Sequence, residues 1–413
     1  MVESQSWPGD NAAMPSPHAL VNTLPASPAK IAVAMSGGVD SSMVAYLLAQ
    51  QGHQLVGFTA WTLNGPGKCC NDALVNAGRV CEQLGIPYDT VDLRAEFFHY
   101  VMDHYHRSYE AGLTPNPCVE CNRYVKWDKL VAYAKETWDV DYVATGHYAQ
   151  VFHGPTVSRL FRSADTRKDQ TYMMARVFQD DLRAALFPLG NMVKSDVVAM
   201  AQAAQLPTAH SKESQDVCFV LDGQANYLQG VFGKRPGPII DVDTGKTLGQ
   251  HSGYFSYTLG QRKGLSVAAG RPVYVVRIDK DNNTVYVGDA QHLETRQFTV
   301  RAPHWLRPDF PSPSDFPLRA CVKIRYNSPP CLATVTPAQA QPDAMPDTLD
   351  VLLDTPQMAV TPGQVAAFYD EGFQEVFGSG YIEAHLAQAP FDPSREVLLP
   401  DLHCSVLPGT GYS

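Results

Sequence analysis

The sequence predicts an α/β protein: a parallel sheet covered by helices and opened by a phosphate-cradling loop, then a small connecting domain and a C-terminal β-barrel-like domain. Three observations carry this prediction. An apolar strand-like run over 31–35 passes through Ser36-Gly37-Gly38-Val39-Asp40-Ser41-Ser42 into a helical run over 43–50. Strand and helix signals then alternate through the first half of the chain. In the second half, Gly and Pro punctuate short apolar runs instead.

The loop is the sharpest signal. Paired glycines let backbone N–H groups turn toward an anion without Cβ interference, and the helix start behind them favours negative charge. Ser41 and Ser42 add hydroxyl donors. No Lys stands between Met35 and Gln50, so the Lys that reaches the outer phosphates in a G-x-x-x-x-G-K-[ST] loop is missing. That suits pyrophosphate leaving from ATP better than γ-phosphoryl transfer. The stretch resembles the PP-loop of the adenine nucleotide alpha hydrolase-like ATP pyrophosphatases, which activate a carbonyl oxygen by adenylation and release AMP when a nucleophile displaces it.

Behind the loop, 54–61 and 88–93 read as short strands and 142–145 as a third, while 73–84 has helical spacing and stops at Gly85-Ile86-Pro87. In such sheets ligands sit at the carboxyl ends of strands, where the loop and the turn Thr145-Gly146-His147-Tyr148 both fall. A helix over 194–204 ends at Leu206-Pro207, and a less regular region runs to about 228. Beyond it, the runs 272–278, 284–288, 318–326, 349–353 and 364–369 have the spacing of antiparallel strands. The expected division is a disordered tail at 1–29, the loop-bearing domain at 30–228, the connecting domain at 229–292, the barrel-like domain at 293–388 and a tail at 389–413.

Composition excludes several classes. No apolar run approaches the roughly 20 residues that span a bilayer. The first 29 residues contain no Arg or Lys, unlike a signal or transit peptide. Nine cysteines in 413 residues are too sparse for a disulfide scaffold, so reduced thiols, metal ligands or catalytic groups are expected, in a cytoplasmic protein. The net charge of −10 argues against a protein that coats nucleic acid broadly. A local basic face stays open: Arg271, Arg301, Arg307, Arg319, Lys323 and Arg325 recur among Tyr257, Trp305 and Tyr326, as such a face or as a solvated rim.

Asn116-Pro117-Cys118-Val119-Glu120-Cys121-Asn122 sets two thiols three positions apart, a redox or metal spacing. Cys218 follows at a polar-to-apolar transition. Cys81, Cys321, Cys331 and Cys404 read as small buried apolar side chains, and Cys69-Cys70 stays undecided.

Taken together, 36–42, Thr114-Pro115-Asn116-Pro117, Cys121-Asn122, 144–148, Lys168-Asp169-Gln170-Thr171-Tyr172, 214–219, 257–265, 322–326 and Thr361-Pro362-Gly363-Gln364 resemble the ordered motifs of the tRNA-specific 2-thiouridylase (MnmA/TrmU) family, over about residues 30–385. The resemblance implies ATP-dependent thiolation of C2 of the wobble uridine, position 34, on the anticodon arm of tRNA. It implies ATP binding, with Mg²⁺, by Ala34, Met35, Ser36, Gly37, Gly38, Val39, Asp40, Ser41, Ala60 and Gly146. It makes Cys121 the nucleophile and Cys218 the persulfide carrier, pairing as a disulfide in turnover. Asn116, Pro117 and Cys118 would face the base, and His147, Lys168, Asp169, Gln170, Arg325, Tyr326 and Gln364 would contact tRNA. A cysteine desulfurase or sulfur-relay protein would supply sulfur; no membrane is involved.

Both thiols need a lowered pKa, for which Arg123 and Lys126 are candidates. One departure stands out. Many family members carry Asp where this chain has Cys118, so Cys118, Cys121 and Cys218 also suit a [4Fe-4S] cluster with one open iron, or zinc with a fourth ligand. Both the persulfide and the cluster route stay open at this point. The competing functions are another PP-loop ligase, such as an argininosuccinate-synthase-like enzyme, which would not need the cysteines, and a non-catalytic tRNA-binding protein.

Overall fold

Ile31, Ala32 and Val33 are completely buried, which only a central strand covered on both faces allows. The computed structural model describes residues 22–63, 71–211, 217–339 and 344–383. Its first seven strands are β1 (Lys30–Ala34), β2 (Gln54–Trp61), β3 (Tyr88–Asp92), β4 (Tyr142–Ala144), β5 (Ala149–His153), β6 (Ser158–Arg162) and β7 (Ala185–Leu186). Five of them form a parallel sheet in the order β3-β2-β1-β4-β7. Side chains alternate across it. Ile31 and Val33 pack with Met43, Val44 and Leu48 of α1 (Val39–Gln50) and Ala77 and Val80 of α2 (Asn71–Leu84), while Ala32 joins Val56, Phe58, Val91 and Trp127 on the other face. The chain runs outward from β1 to β3 and returns to β4 on the other side of β1. The connections leaving β1 and β4 therefore diverge and open a crevice at the carboxyl ends of these strands.

Two helical runs that the sequence reading did not anticipate, over 94–110 and 117–138, fill the return from β3 to β4. Each contains wider π turns, at Phe98–Asp103 and Cys121–Lys129. Such turns are rare and concentrate at functional sites.

The connecting segment folds as β8 (Gly237–Asp241), β9 (Thr247–His251), β10 (Tyr274–Asp279) and β11 (Thr284–Gly288), in the order β10-β11-β8-β9, with β11 parallel to β8 and the other pairs antiparallel. The last strands are β12 (Glu294–Trp305), β13 (Leu318–Lys323), β14 (Cys331–Pro337), β15 (Thr348–Met358), β16 (Val365–Tyr369) and β17 (Glu375–Ile382). They run β12-β15-β14-β13-β16-β17, and pairing of β17 with β12 closes the barrel. Closure removes open edges, and Phe298, Val300, Val335, Val351 and Phe368 fill the interior. The β5–β6 hairpin, where the sequence showed no strand, pairs with β17 and ties the barrel to the first domain.

Part of the expected basic face is neutralised. Arg271 is held by Asp241 and Asp243 at 2.8 and 2.9 Å, Arg319 by Asp354 at 2.8 Å, and Arg307 by Asp309 at 3.0 Å. Cys81, Cys321 and Cys331 are buried as expected, and burial pushes the Cys81 and Cys321 thiols up to about 11. Cys69, Cys70, Cys404, the tail at 389–413, most of the tail at 1–29 and residues 214–216 of the Cys218 motif lie outside the described residues.

Candidate functional site

The loop after β1 is bare backbone by necessity. Gly37 has φ +71°, and a Cβ there would lie 2.5 Å from the Cα and carbonyl oxygen of Ala73. A Cβ on Gly146, after β4, would lie 2.9 Å from the Ser41 nitrogen. The Ser36 N–H donates to Ser41 Oγ at 3.1 Å, and Ser41 Oγ donates to the Gly38 carbonyl at 3.2 Å. Ser42 departs from the sequence reading. It is fully buried, its hydroxyl donates to the Gly38 carbonyl at 2.9 Å and accepts from Thr208 at 2.7 Å, so it pins the loop to α1 instead of facing a phosphate.

The cation missing from the loop arrives from elsewhere in the fold. Lys194 Nζ lies 2.7 Å from both oxygens of Asp40, and the Tyr148 hydroxyl donates to Asp40 Oδ1 at 2.9 Å. Lys194 opens the helix Lys194–Ala203, and its N–H is fixed by Asp165 Oδ2 at 3.1 Å. The helix start was legible in the sequence. Its contact with Asp40 was not.

One cavity of about 380 Å³, within the size of small-molecule sites, joins the loop to the cysteines. Ala34, Met35, Ser36, Asp40, Ser41, Ala60 and Gly146 line it, with His147, Gln170, Pro117, Cys118, Cys121, Lys126, Val217 and Cys218. Asn116 Oδ1 accepts the N–H groups of Cys118 at 3.1 Å and Val119 at 3.4 Å, and Pro117 occupies the first turn, so Asn-Pro starts the short helix Pro117–Glu120. The three-residue spacing then sets Cys118 and Cys121 on one helical face. Cys118 is exposed, Cys121 and Cys218 half-buried. Of the two cations expected to serve the thiols, only Lys126 lines the cavity; Arg123 instead donates to the Arg176 carbonyl at 2.9 Å and lies over the Phe178 ring. Among the described residues no three or more His, Cys, Asp or Glu side chains are gathered to hold a metal. Cys118, Cys121 and Cys218 share the cavity without being gathered into such a set.

His147 is buried with Nδ1 2.7 Å from Thr145 Oγ1. Burial, aided by Lys126, pushes its pKa down to about 3. An unfolded His titrates near about 6.5. Between these values the unfolded chain binds the extra proton, so the stability that His147 contributes is complete above about pH 6.5 and is lost as pH falls toward 3. His147→Gln should flatten the pH slope of urea-unfolding stability over that window; an unchanged slope would mean the ring is solvated.

The remaining residues expected at tRNA are placed differently from one another. Lys168 is half-exposed. Asp169 is buried, accepting from the Ser163 N–H at 3.1 Å and the Thr171 hydroxyl at 2.8 Å. Gln170 accepts the Tyr148 N–H at 2.9 Å. Arg325 donates to the Leu259 carbonyl at 3.0 Å and to the Thr361 hydroxyl, Tyr326 leans on Tyr172, and Gln364 donates to the Thr114 and Pro115 carbonyls. Lys168, Asp169, Arg325, Tyr326 and Gln364 are absent from the cavity wall.

A glycine loop at the switch point of a parallel sheet, with cysteines across one cavity from it, defines a nucleotide-binding α/β protein of the PP-loop class. Residues 29–222 match the tRNA methyl transferase HUP domain, 225–289 the tRNA methyl transferase PRC-barrel domain and 295–382 the aminomethyltransferase beta-barrel domain. The tRNA-specific 2-thiouridylase MnmA of Trichormus variabilis is 42% identical over 358 residues, 86% of this chain and 98% of that protein. That of Thermosynechococcus vestitus is 42% identical over 357 residues, 86% and 94% of the two chains. The chain belongs to the tRNA-specific 2-thiouridylase (MnmA) family.

Proposed function

We propose that this protein is an ATP-dependent tRNA-uridine 2-sulfurtransferase acting at the wobble uridine, in the cytoplasm. The observation that supports it most is the single cavity shared by the glycine loop and the thiols of Cys121 and Cys218. A uracil C2 carbonyl is a poor electrophile. Adenylation by ATP, with pyrophosphate leaving, turns its oxygen into a leaving group. In this reading Ala34, Met35, Ser36, Asp40, Ser41, Ala60 and Gly146 form the nucleotide wall, with Gly37, Gly38 and Val39 carrying the loop behind it. The base leaves its stack to enter, as base-modifying enzymes require, and meets Pro117 and Cys118 on the helix that Asn116 caps. Lys168 and Tyr326 offer contacts to the tRNA outside, with Asp169 and Arg325 supporting that surface from beneath, while Gln170 lines the cavity itself.

Cys218 carries the sulfur as a persulfide. The terminal sulfur, as an anion, attacks C2 and AMP departs, leaving C2 joined to Cys218 through two sulfurs. The Cys121 thiolate attacks Cys218 Sγ; the bond between the two sulfurs breaks, its electron pair goes to the sulfur on C2, and a Cys121–Cys218 disulfide remains. A thiol reductant restores both thiols, and a cysteine desulfurase or relay protein reloads Cys218. Lys126 at the cavity wall favours the thiolates.

Anaerobically purified protein, assayed for iron and given unmodified tRNA, ATP and a persulfide donor, should form 2-thiouridine with matching AMP and pyrophosphate in the absence of iron. Activity that needs about four irons per chain would replace the persulfide step by cluster chemistry. ATP cleavage without 2-thiouridine would overturn the reading.

Lys194 extends it. The lysine pairs with Asp40 at the phosphate loop, so Lys194→Met should weaken ATP binding by about tenfold or more and AMP binding much less, read by calorimetry. Equal losses for both nucleotides would make the lysine a purely structural partner.

A further inference from the structure

We infer that the barrel is a working part of the active site, in which Gln364 and Tyr381 are positioning residues that brace the cysteine segment from its two ends. This rests on the thiol chemistry proposed above.

At the entry side, the Thr114 N–H donates to the Pro362 carbonyl at 2.9 Å. Gln364 Nε2 donates to the carbonyls of Thr114 at 2.9 Å and Pro115 at 3.2 Å. The approach is close enough that a Cβ on Gly363 would lie 2.9 Å from the Leu113 Cβ. Gln364 is buried, so its amide donors are committed to the turn that leads into Asn116 and the helix Pro117–Glu120.

At the exit side, Glu120 is only 3% exposed and accepts a hydrogen bond from the Tyr381 hydroxyl at 2.7 Å. A buried carboxylate deprived of such a donor is costly, so this contact constrains the helical turn between Cys118 and Cys121. The Tyr381 ring is itself held, with the Arg176 guanidinium 4.2 Å above its centre.

Both braces come from one corner of the barrel. Val365, next to Gln364, pairs with Tyr381 in the β16–β17 register; Cys118 lies within the stretch between the two contacts and Cys121 follows it directly. The family resemblance implies a tRNA contact for Gln364. The geometry gives its amide nitrogen to the cysteine turn instead, and any shift of this barrel corner moves both ends of the segment that carries the nucleophile. Small displacements of that kind are expensive in rate, since misplacing a reacting group by about 1 Å costs on the order of a hundredfold.

The test uses the full chain with Tyr381→Phe, which keeps the ring and removes the hydroxyl, and Gln364→Met, which keeps the length and removes both N–H donors. Two quantities are read: the alkylation rate of Cys121 by iodoacetamide in the free protein, and kcat and KM for tRNA. The expected result is an alkylation rate changed by about threefold or more and a kcat lowered by about tenfold to a hundredfold, with tRNA KM and ATP binding within about twofold of the parent. A raised tRNA KM with unchanged kcat and alkylation would overturn the proposal and return Gln364 to tRNA contact. Should Gln364→Met unfold, Tyr381→Phe decides alone, and unchanged alkylation there is also a refutation. If the parent protein makes no 2-thiouridine, the functional reading fails, while the alkylation rates still decide the positioning role.

Discussion

Replacing Cys121 or Cys218 by serine is expected to lower 2-thiouridine formation by roughly a thousandfold or more while leaving ATP binding intact. A serine hydroxyl cannot carry a persulfide, and it is not ionised at neutral pH, so neither half of the sulfur transfer survives. The two residues act as a unit, so the double variant should be no worse than either single one. ATP binding should survive because Ser36, Asp40 and Ser41 of the loop lie on a separate segment of the cavity wall. Cys118→Ser separates the remaining chemistry: retained activity fits the persulfide pair, whereas loss with iron loss would restore the cluster. Full activity in Cys121→Ser or Cys218→Ser would move the protein among PP-loop ligases that do not use thiols.

The second large effect is expected at Gly37. Alanine there must adopt φ +71°, which costs an L-residue about 1–2 kcal/mol, and its Cβ would stand 2.5 Å from the Ala73 backbone. No rotamer relieves that clash, since both sides are main chain, so either the loop or α2 must move. ATP affinity should fall by about a hundredfold or more, measured by calorimetry on a protein that still unfolds cooperatively. An affinity within about threefold of the parent would show that the cradle tolerates a side chain and that the loop does not hold phosphate through bare backbone.

Much of the architecture was readable from local pattern. The strand expected at 54–61 has those bounds, and α1, α2 and the helix from Lys194 lie within about four residues of expectation at their starts and one at their ends, because glycine turns, apolar periodicity and Pro stops act over a few residues. The β5–β6 hairpin was not readable, since Ala149–His153 sits behind a loop-domain turn and only its pairing through β6 with β17 reveals which sheet it belongs to. The runs 94–110 and 117–138 were missed because their wider π turns break the 3.6-residue period on which a helix is recognised.

For the site, the loop and the Asn-Pro-Cys-x-x-Cys segment announced themselves because each needs particular residue types in one short stretch: glycine for bare backbone, Asn-Pro to start a helix, and two thiols on one face. Those chemical identities were determined by the sequence alone. Their arrangement was decided by the fold. The Lys194–Asp40 pair joins residues 154 apart, Gln364 and Thr114 are 250 apart, and Tyr381 and Glu120 are 261 apart. Such contacts depend on how separate elements close on one another, and nothing within a short stretch of chain records that closure.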